Sequence, residues 1–185
     1  MKIKTMSTFA VVVVSLAVLI SIALAAQDKY ALKAPNGVAF SEFQGYESWQ
    51  NVAPSATDDG IKAILANPVM IKAYKDGIPG NGKPFPDGSM IAKIEWKKQQ
   101  SAESPYSVAV PGALKSVSFI EKDTKRFPDS SGWGYAQFNY DAASDTFTPA
   151  TLANNPPQGN DAKCGFACHT LVKAKDYVFT AYPKR

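Results

Sequence analysis

Cysteine and histidine are nearly missing from this chain. Its 185 residues include two cysteines, Cys164 and Cys168, and one histidine, His169. With three residues between them, the cysteines would close almost no loop, which excludes a disulfide framework of the kind that staples small exported domains. A lone histidine excludes any centre that needs two imidazoles from one chain. Charge of one sign is also scarce. Twenty Lys and Arg against 16 Asp and Glu leave a net +4, which predicts neither nucleic-acid binding nor a polybasic membrane contact. Beyond residue 26 there is no second long apolar run, so the remainder reads as soluble.

What is present begins with a three-part leader. Lys2 and Lys4 form a positive start, Phe9 to Ala25 is uncharged and rich in Val, Leu, Ile and Ala, and Ala23, Ala25 and Ala26 are small. This is the layout of a cleavable signal peptide over residues 1–25, with the cut after Ala25 or one residue later. The competing reading is an uncleaved anchor, because the run approaches the roughly 20 residues that span a bilayer. Cleavage removes two lysines and no acid, so the net charge falls from +4 to +2. About 160 residues remain, 26–185, which suits one exported domain. Aromatics make up 11% of the chain, more than a bare core of this size needs, and a flat cofactor would use them.

The pattern changes along the chain. Residues 26–37 read as a loose arm. Between Asp58 and Gly77 the spacing of Ile61, Ile64, Leu65, Met70, Ile71 and Tyr74 predicts helix, started by Thr57–Asp59, divided by Pro68 and stopped by Gly77. Residues 78–88 form a turn-rich loop. Met90, Ala92, Ile94 and Trp96 then share one face of a predicted strand, with Ser89, Ile91, Lys93 and Glu95 on the other. Further strands are predicted at 106–110, 114–121, 133–140 and 146–148, and a helix from Ala162 to about Lys175, followed by the aromatic tail 177–182. The class expected is α+β: an antiparallel sheet with flanking helices and a C-terminal cofactor-binding helix.

Cys164-Gly-Phe-Ala-Cys168-His169 carries the chemistry. In a c-type haem site two thiols add to the porphyrin vinyl groups and the adjacent histidine binds iron; the usual spacing is one residue shorter, C-x-x-C-H. Gly165 is the residue best able to let the extra backbone bulge. This makes Cys164, Cys168 and His169 candidate haem c residues, one haem per chain. A local disulfide, a metal site that lacks a clear fourth ligand, and a redox dithiol remain alternative readings. If haem binds, His169 is the only imidazole available. Of the methionines beyond the leader, Met70 falls in a helical run and Met90 on an apolar face, so both suit core packing. An iron with one strong protein ligand keeps a position open for a small molecule, which favours gas binding or redox catalysis over plain electron transfer.

Several blocks, in order, resemble the cytochrome P-460 family: Tyr46-Glu-Ser-Trp49, Ala66-Asn67-Pro68, Phe85-Pro-Asp-Gly-Ser-Met-Ile-Ala-Lys93, Lys122-Asp-Thr-Lys-Arg-Phe127, Gly132-Trp133-Gly134-Tyr135, and the Cys-His motif followed by Asp176-Tyr-Val-Phe179. The resemblance implies a periplasmic, dimeric mono-haem protein with an antiparallel sheet. It would act on hydroxylamine or bind nitric oxide at a five-coordinate haem, and a periplasmic acceptor would take the electrons. It also implies that Lys93, six residues beyond Asp87, is the lysine cross-linked to the porphyrin in the hydroxylamine oxidisers. Where such an oxidiser carries a distal Arg and Glu, this chain has Lys62 and Ser118. With no carboxylate at Ser118, Asp87, Glu95 and Glu121 are the candidate proton acceptors.

Overall fold

A computed structural model describes residues 26–150 and 165–185. The leader 1–25, Cys164 and the first residues of the expected C-terminal helix lie outside the described residues. Six strands form one antiparallel meander in chain order: β1 (Gln50–Ala56), β2 (Gly60–Ala66), β3 (Met90–Gln100), β4 (Ala109–Lys122), β5 (Trp133–Asp141) and β6 (Thr146–Pro149). One regular helix, α1 (Pro68–Lys75), connects β2 to β3. No helix among the described residues is long and apolar enough to cross a membrane.

The helix expected over 58–77 is corrected in its first half. Residues 57–60 are the turn of a hairpin, with Thr57 N–H donating to the Gly60 carbonyl at 2.9 Å, and β2 pairs β1 on one side and β3 on the other. The cause is two-sided burial. Ala63 and Leu65 pack into one core while Ile64 and Ala66 pack into a second, and apolar residues on both faces of a short strand mimic helical spacing. Pro68 starts the helix instead of dividing one. Asn67 caps it by accepting from Met70 N–H at 3.0 Å, and Pro68 sits in the first turn, where its missing donor costs nothing. Gly77, at φ +89°, ends it as expected.

Three further differences have local causes. The strands expected at 106–110 and 114–121 are one, β4, whose register against β3 shifts near Pro111 and Gly112; a proline is tolerated at such an irregularity. Tyr106 lies outside it, 79% exposed. The arm at 26–37 is docked: Gln27 bonds the Phe147 backbone twice, and Asn36 donates to the Tyr135 carbonyl at 2.6 Å. In place of the long helix expected from Ala162, the described part has a single turn, α2 (Phe166–His169), then a 3₁₀ segment Thr170–Lys175 kinked at Val172.

Two cores flank the sheet. Phe40, Phe43, Tyr46, Ala92, Val117, Phe119 and Phe138 fill one face, where Phe119 stacks on Phe43 with centroids 4.1 Å apart. Met70, Ile71, Tyr74, Phe85, Ile91, Trp133, Tyr135 and Val178 cover part of the other. Gly134 leaves room for the Phe127 ring, into which a Cβ would run. Phe119→Ala should destabilise the protein by about 3–5 kcal/mol, measured by denaturant unfolding. A loss below about 1 kcal/mol would mean that the aromatic cluster is not the structural core.

Candidate functional site

The rows of the ladder decide which side chains meet. Lys93 on β3 is opposite Ile64 on β2 and Ser118 on β4, and in the next row Lys62 is opposite Ser55 and Glu95. Side chains on one face of a sheet recur at every second residue. Lys62, Lys93 and Ser118 therefore project from the face opposite Met90, Ala92 and Ile94. With His169 they line one cavity of about 230 Å³, whose apolar walls include Ile64, Ile91, Ile120, Val178 and Phe179.

His169 reaches this cavity from α2 and the segment beyond it. Its Nδ1 is 2.5 Å from the Tyr177 carbonyl, an acceptor, so Nδ1 carries the proton and Nε2 is the nitrogen left for a ligand. The ring lies between Tyr135, with centroids 4.8 Å apart, and the edge of Phe179 at 4.9 Å. Burial lowers the His169 pKa; the Tyr177 carbonyl acts against this and the Lys93 charge adds to it. Both burial and the Lys93 charge thus favour the neutral imidazole, the form in which a histidine can ligate a metal.

The tail completes the wall. Arg185 donates to the Asn51 and Val52 carbonyls at 2.7 and 2.5 Å, Tyr182 stacks on Tyr74, and Tyr74 Oη donates to the Thr180 carbonyl at 2.8 Å. These ties hold Val178, Phe179 and Thr180 against the cavity.

The other sequence candidates separate by face. Cys168 is half-buried on the same turn as His169. Glu95 shares the cavity side of the sheet, 3.9 Å from Lys62 and 2.8 Å from Lys115. Asp87 is occupied as a turn acceptor for Thr124 N–H and Oγ1. Glu121 is on the opposite side of the sheet, in register with Met90 and 2.9 Å from Arg126, so it cannot act in the cavity. Met70 packs in the second core and Met90 against the first, and neither lines the cavity. Three contributors to the site carried no signal of role in the sequence: the Tyr135 ring, the Phe179 edge and the Tyr177 carbonyl. All three residues do fall inside blocks that carry the resemblance.

Among the described residues no group of three or more His, Cys, Asp or Glu could hold a bare metal ion. One oriented imidazole above apolar walls, with a cysteine beside it, instead fits a metal that arrives within a macrocycle. A family model described as cytochrome P-460 matches residues 43–180. No curated protein sequence matches the chain.

Glu121 supplies a pH test of its placement. Burial, with Glu42 nearby, pushes its carboxyl up from 4.5 to about 7 despite Arg126. The folded state therefore holds this proton more tightly than the unfolded chain. The stability it contributes is complete below about pH 4.5 and is lost as pH rises through about 7. Glu121→Gln should gain on the order of 2 kcal/mol over wild type near pH 8 and nothing below about pH 4.5. Equal pH profiles of stability for the two proteins would refute the buried placement.

Proposed function

Because the chain belongs to the cytochrome P-460 family, which implies a haem cofactor, we propose that it is an exported mono-haem c-type cytochrome that oxidises hydroxylamine or a related small nitrogen species. The reading includes thioether attachment through Cys164 and Cys168, His169 as the proximal ligand, and an open opposite position. It also includes a periplasmic homodimer and a periplasmic electron acceptor. The observation that carries it is the cavity in which His169, its Nδ1 held by the Tyr177 carbonyl, meets Lys93, Lys62 and Ser118.

A bound haem supplies the iron that accepts electrons from the substrate. The protein supplies the rest. The Tyr177 carbonyl fixes the tautomer of His169 and strengthens its basicity. Ile64, Ile91, Ile120, Val178 and Phe179 form apolar walls that would exclude water around a bound haem. Lys93 sits on the same sheet face as Ile91 and Ile120, where a planar group would lie against it. Ser118 Oγ, which donates to Gln137 Oε1 at 3.3 Å, and Lys62 offer hydrogen bonds to a small polar substrate.

Oxidation of hydroxylamine releases protons, and among the described residues that line the cavity there is no carboxylate. A well-placed base contributes typically 10²–10⁴-fold. Slow turnover follows. The same observation favours a second reading, a nitric oxide binding cytochrome without catalysis, because binding a neutral gas requires no proton acceptor.

Intact mass of the exported protein should exceed the polypeptide beyond residue 25 or 26 by one haem that acid–acetone does not extract. A mass two hydrogens below the polypeptide would show a Cys164–Cys168 disulfide and end this reading; Cys164→Ala separates attachment by both thiols from attachment by Cys168 alone.

Lys93 divides the two functional readings. If it is joined to the porphyrin, the ferrous Soret band should lie far to the red, and Lys93→Ala should return it to that of an ordinary five-coordinate haem c. Hydroxylamine oxidation should then fall while nitric oxide binding survives. An unchanged spectrum in Lys93→Ala moves the protein to the gas-binding class.

A further inference from the structure

A buried ion pair lies behind the histidine. Lys122 Nζ, on the last residue of β4, is 3.0 and 3.1 Å from the two carboxylate oxygens of Asp176, and their side chains are only 5% and 11% exposed. The same ammonium donates to the Ser131 carbonyl at 2.9 Å and lies 4.9 Å over the Trp133 ring. Asp176 also accepts from Phe85 N–H at 2.8 Å. This one carboxylate thus ties the end of β4 and the loop before β3 to the segment after His169, and through Lys122 it reaches the turn before β5.

That connection falls at an unusual stretch of backbone. Asp176 and Tyr177 are consecutive non-glycine residues in the left-handed region, at φ 49° and 62°. Such a conformation persists only where the surroundings determine it. Two buried charges are likewise retained only where their geometry is well satisfied. The product of the turn is a single aimed group, the Tyr177 carbonyl at 2.5 Å from His169 Nδ1. A second tie, Ser131 Oγ donating to Tyr177 Oη at 2.9 Å, anchors the same residue to the same turn.

We infer that the Lys122–Asp176 pair is a positioning device for His169: it fixes the left-handed turn that holds the Tyr177 carbonyl on Nδ1 and thereby sets the donor strength of the imidazole. The inference rests on the proposed ligation of haem iron by His169. Neither Lys122 nor Asp176 lines the cavity, so both act through the histidine and neither touches the substrate.

The test uses the purified haem protein with Asp176→Asn and Asp176→Gly. Glycine adopts the left-handed turn without cost, so Asp176→Gly removes the carboxylate while sparing the backbone and remains readable if Asp176→Asn folds poorly. The readouts are the ferrous iron–histidine stretching band in resonance Raman and the midpoint potential. Both variants should move the band to lower frequency and broaden it, and should raise the potential so that the ratio of reduced to oxidised haem at the wild-type midpoint rises roughly tenfold. Lys122→Arg, which keeps the cation, should stay close to wild type, as should Lys72→Ala, which breaks only the exposed Lys72–Asp76 pair. A wild-type band unchanged in both Asp176 variants overturns the positioning role and leaves ligation by His169 intact. A haem-loaded wild type with no iron–histidine band overturns the ligation and the inference with it.

Discussion

Alternation along β3 and β4 governs everything else in this structure. Because successive side chains of a strand point to opposite faces, Ala92 and Phe119 must enter one core if Lys93 and Ser118 are to share the other side. A slip of one residue in the β3–β4 register would send Lys93 into the Phe40–Phe43–Phe119 cluster and expose the aromatic rings that fill it. The aromatic core therefore does more than stabilise. It prevents the register from drifting and so fixes the identity of the cavity floor.

Charge is distributed by the same division. On the cavity side, Glu95 is bridged by Lys62 and Lys115, and Lys115 reaches on to Asp59. These side chains are partly solvated, and exposed members of such chains contribute little to stability. Lys122 and Asp176 are a different case, desolvated and surrounded by Trp133, Phe85 and the Ser131 carbonyl. Glu121 and Arg126 occupy the far face with Glu42. The three groups do not mix, because the sheet separates the third from the others and the apolar floor of Ile91 and Ile120 separates the first from the second.

How much of this could be read from the residues depends on where the information is stored. The β3 alternation was legible because Met90, Ala92, Ile94 and Trp96 are apolar while Lys93 and Glu95 interrupt the other face, so the side of the sheet that carries Lys93 followed directly. The cysteine–histidine motif stands out in the sequence because so few other residues of those types exist, and of its members the described residues include Cys168 and His169, on one turn. The stretch 60–66 reads as helix because Ala63, Ile64, Leu65 and Ala66 serve two cores at once, and burial on both faces erases the period of two. The helix expected from Ala162 is shorter in its described part, and nothing in its spacing reveals the 3₁₀ segment that begins at Thr170, its kink at Val172 or the left-handed turn at Asp176 and Tyr177. The grip on His169 was invisible for a simpler reason: the acceptor is a main-chain carbonyl, and the Lys122–Asp176 pair that holds it joins residues 54 apart in the chain.

The meander places each strand beside its neighbour in sequence, so the whole sheet is assembled from pairings between consecutive strands. Residues 165–185, which bring His169, Val178, Phe179 and Thr180, come after all of them in the chain. Pairings of short sequence separation form faster than distant ones. The floor carrying Lys62, Lys93 and Ser118 can therefore be complete before the wall that carries the histidine docks, with Arg185 closing onto β1 across 134 residues. Until that docking the cavity lacks the wall formed by His169, Val178, Phe179 and Thr180, and its floor is open on that side. The last residues of the chain thus decide when the cavity closes.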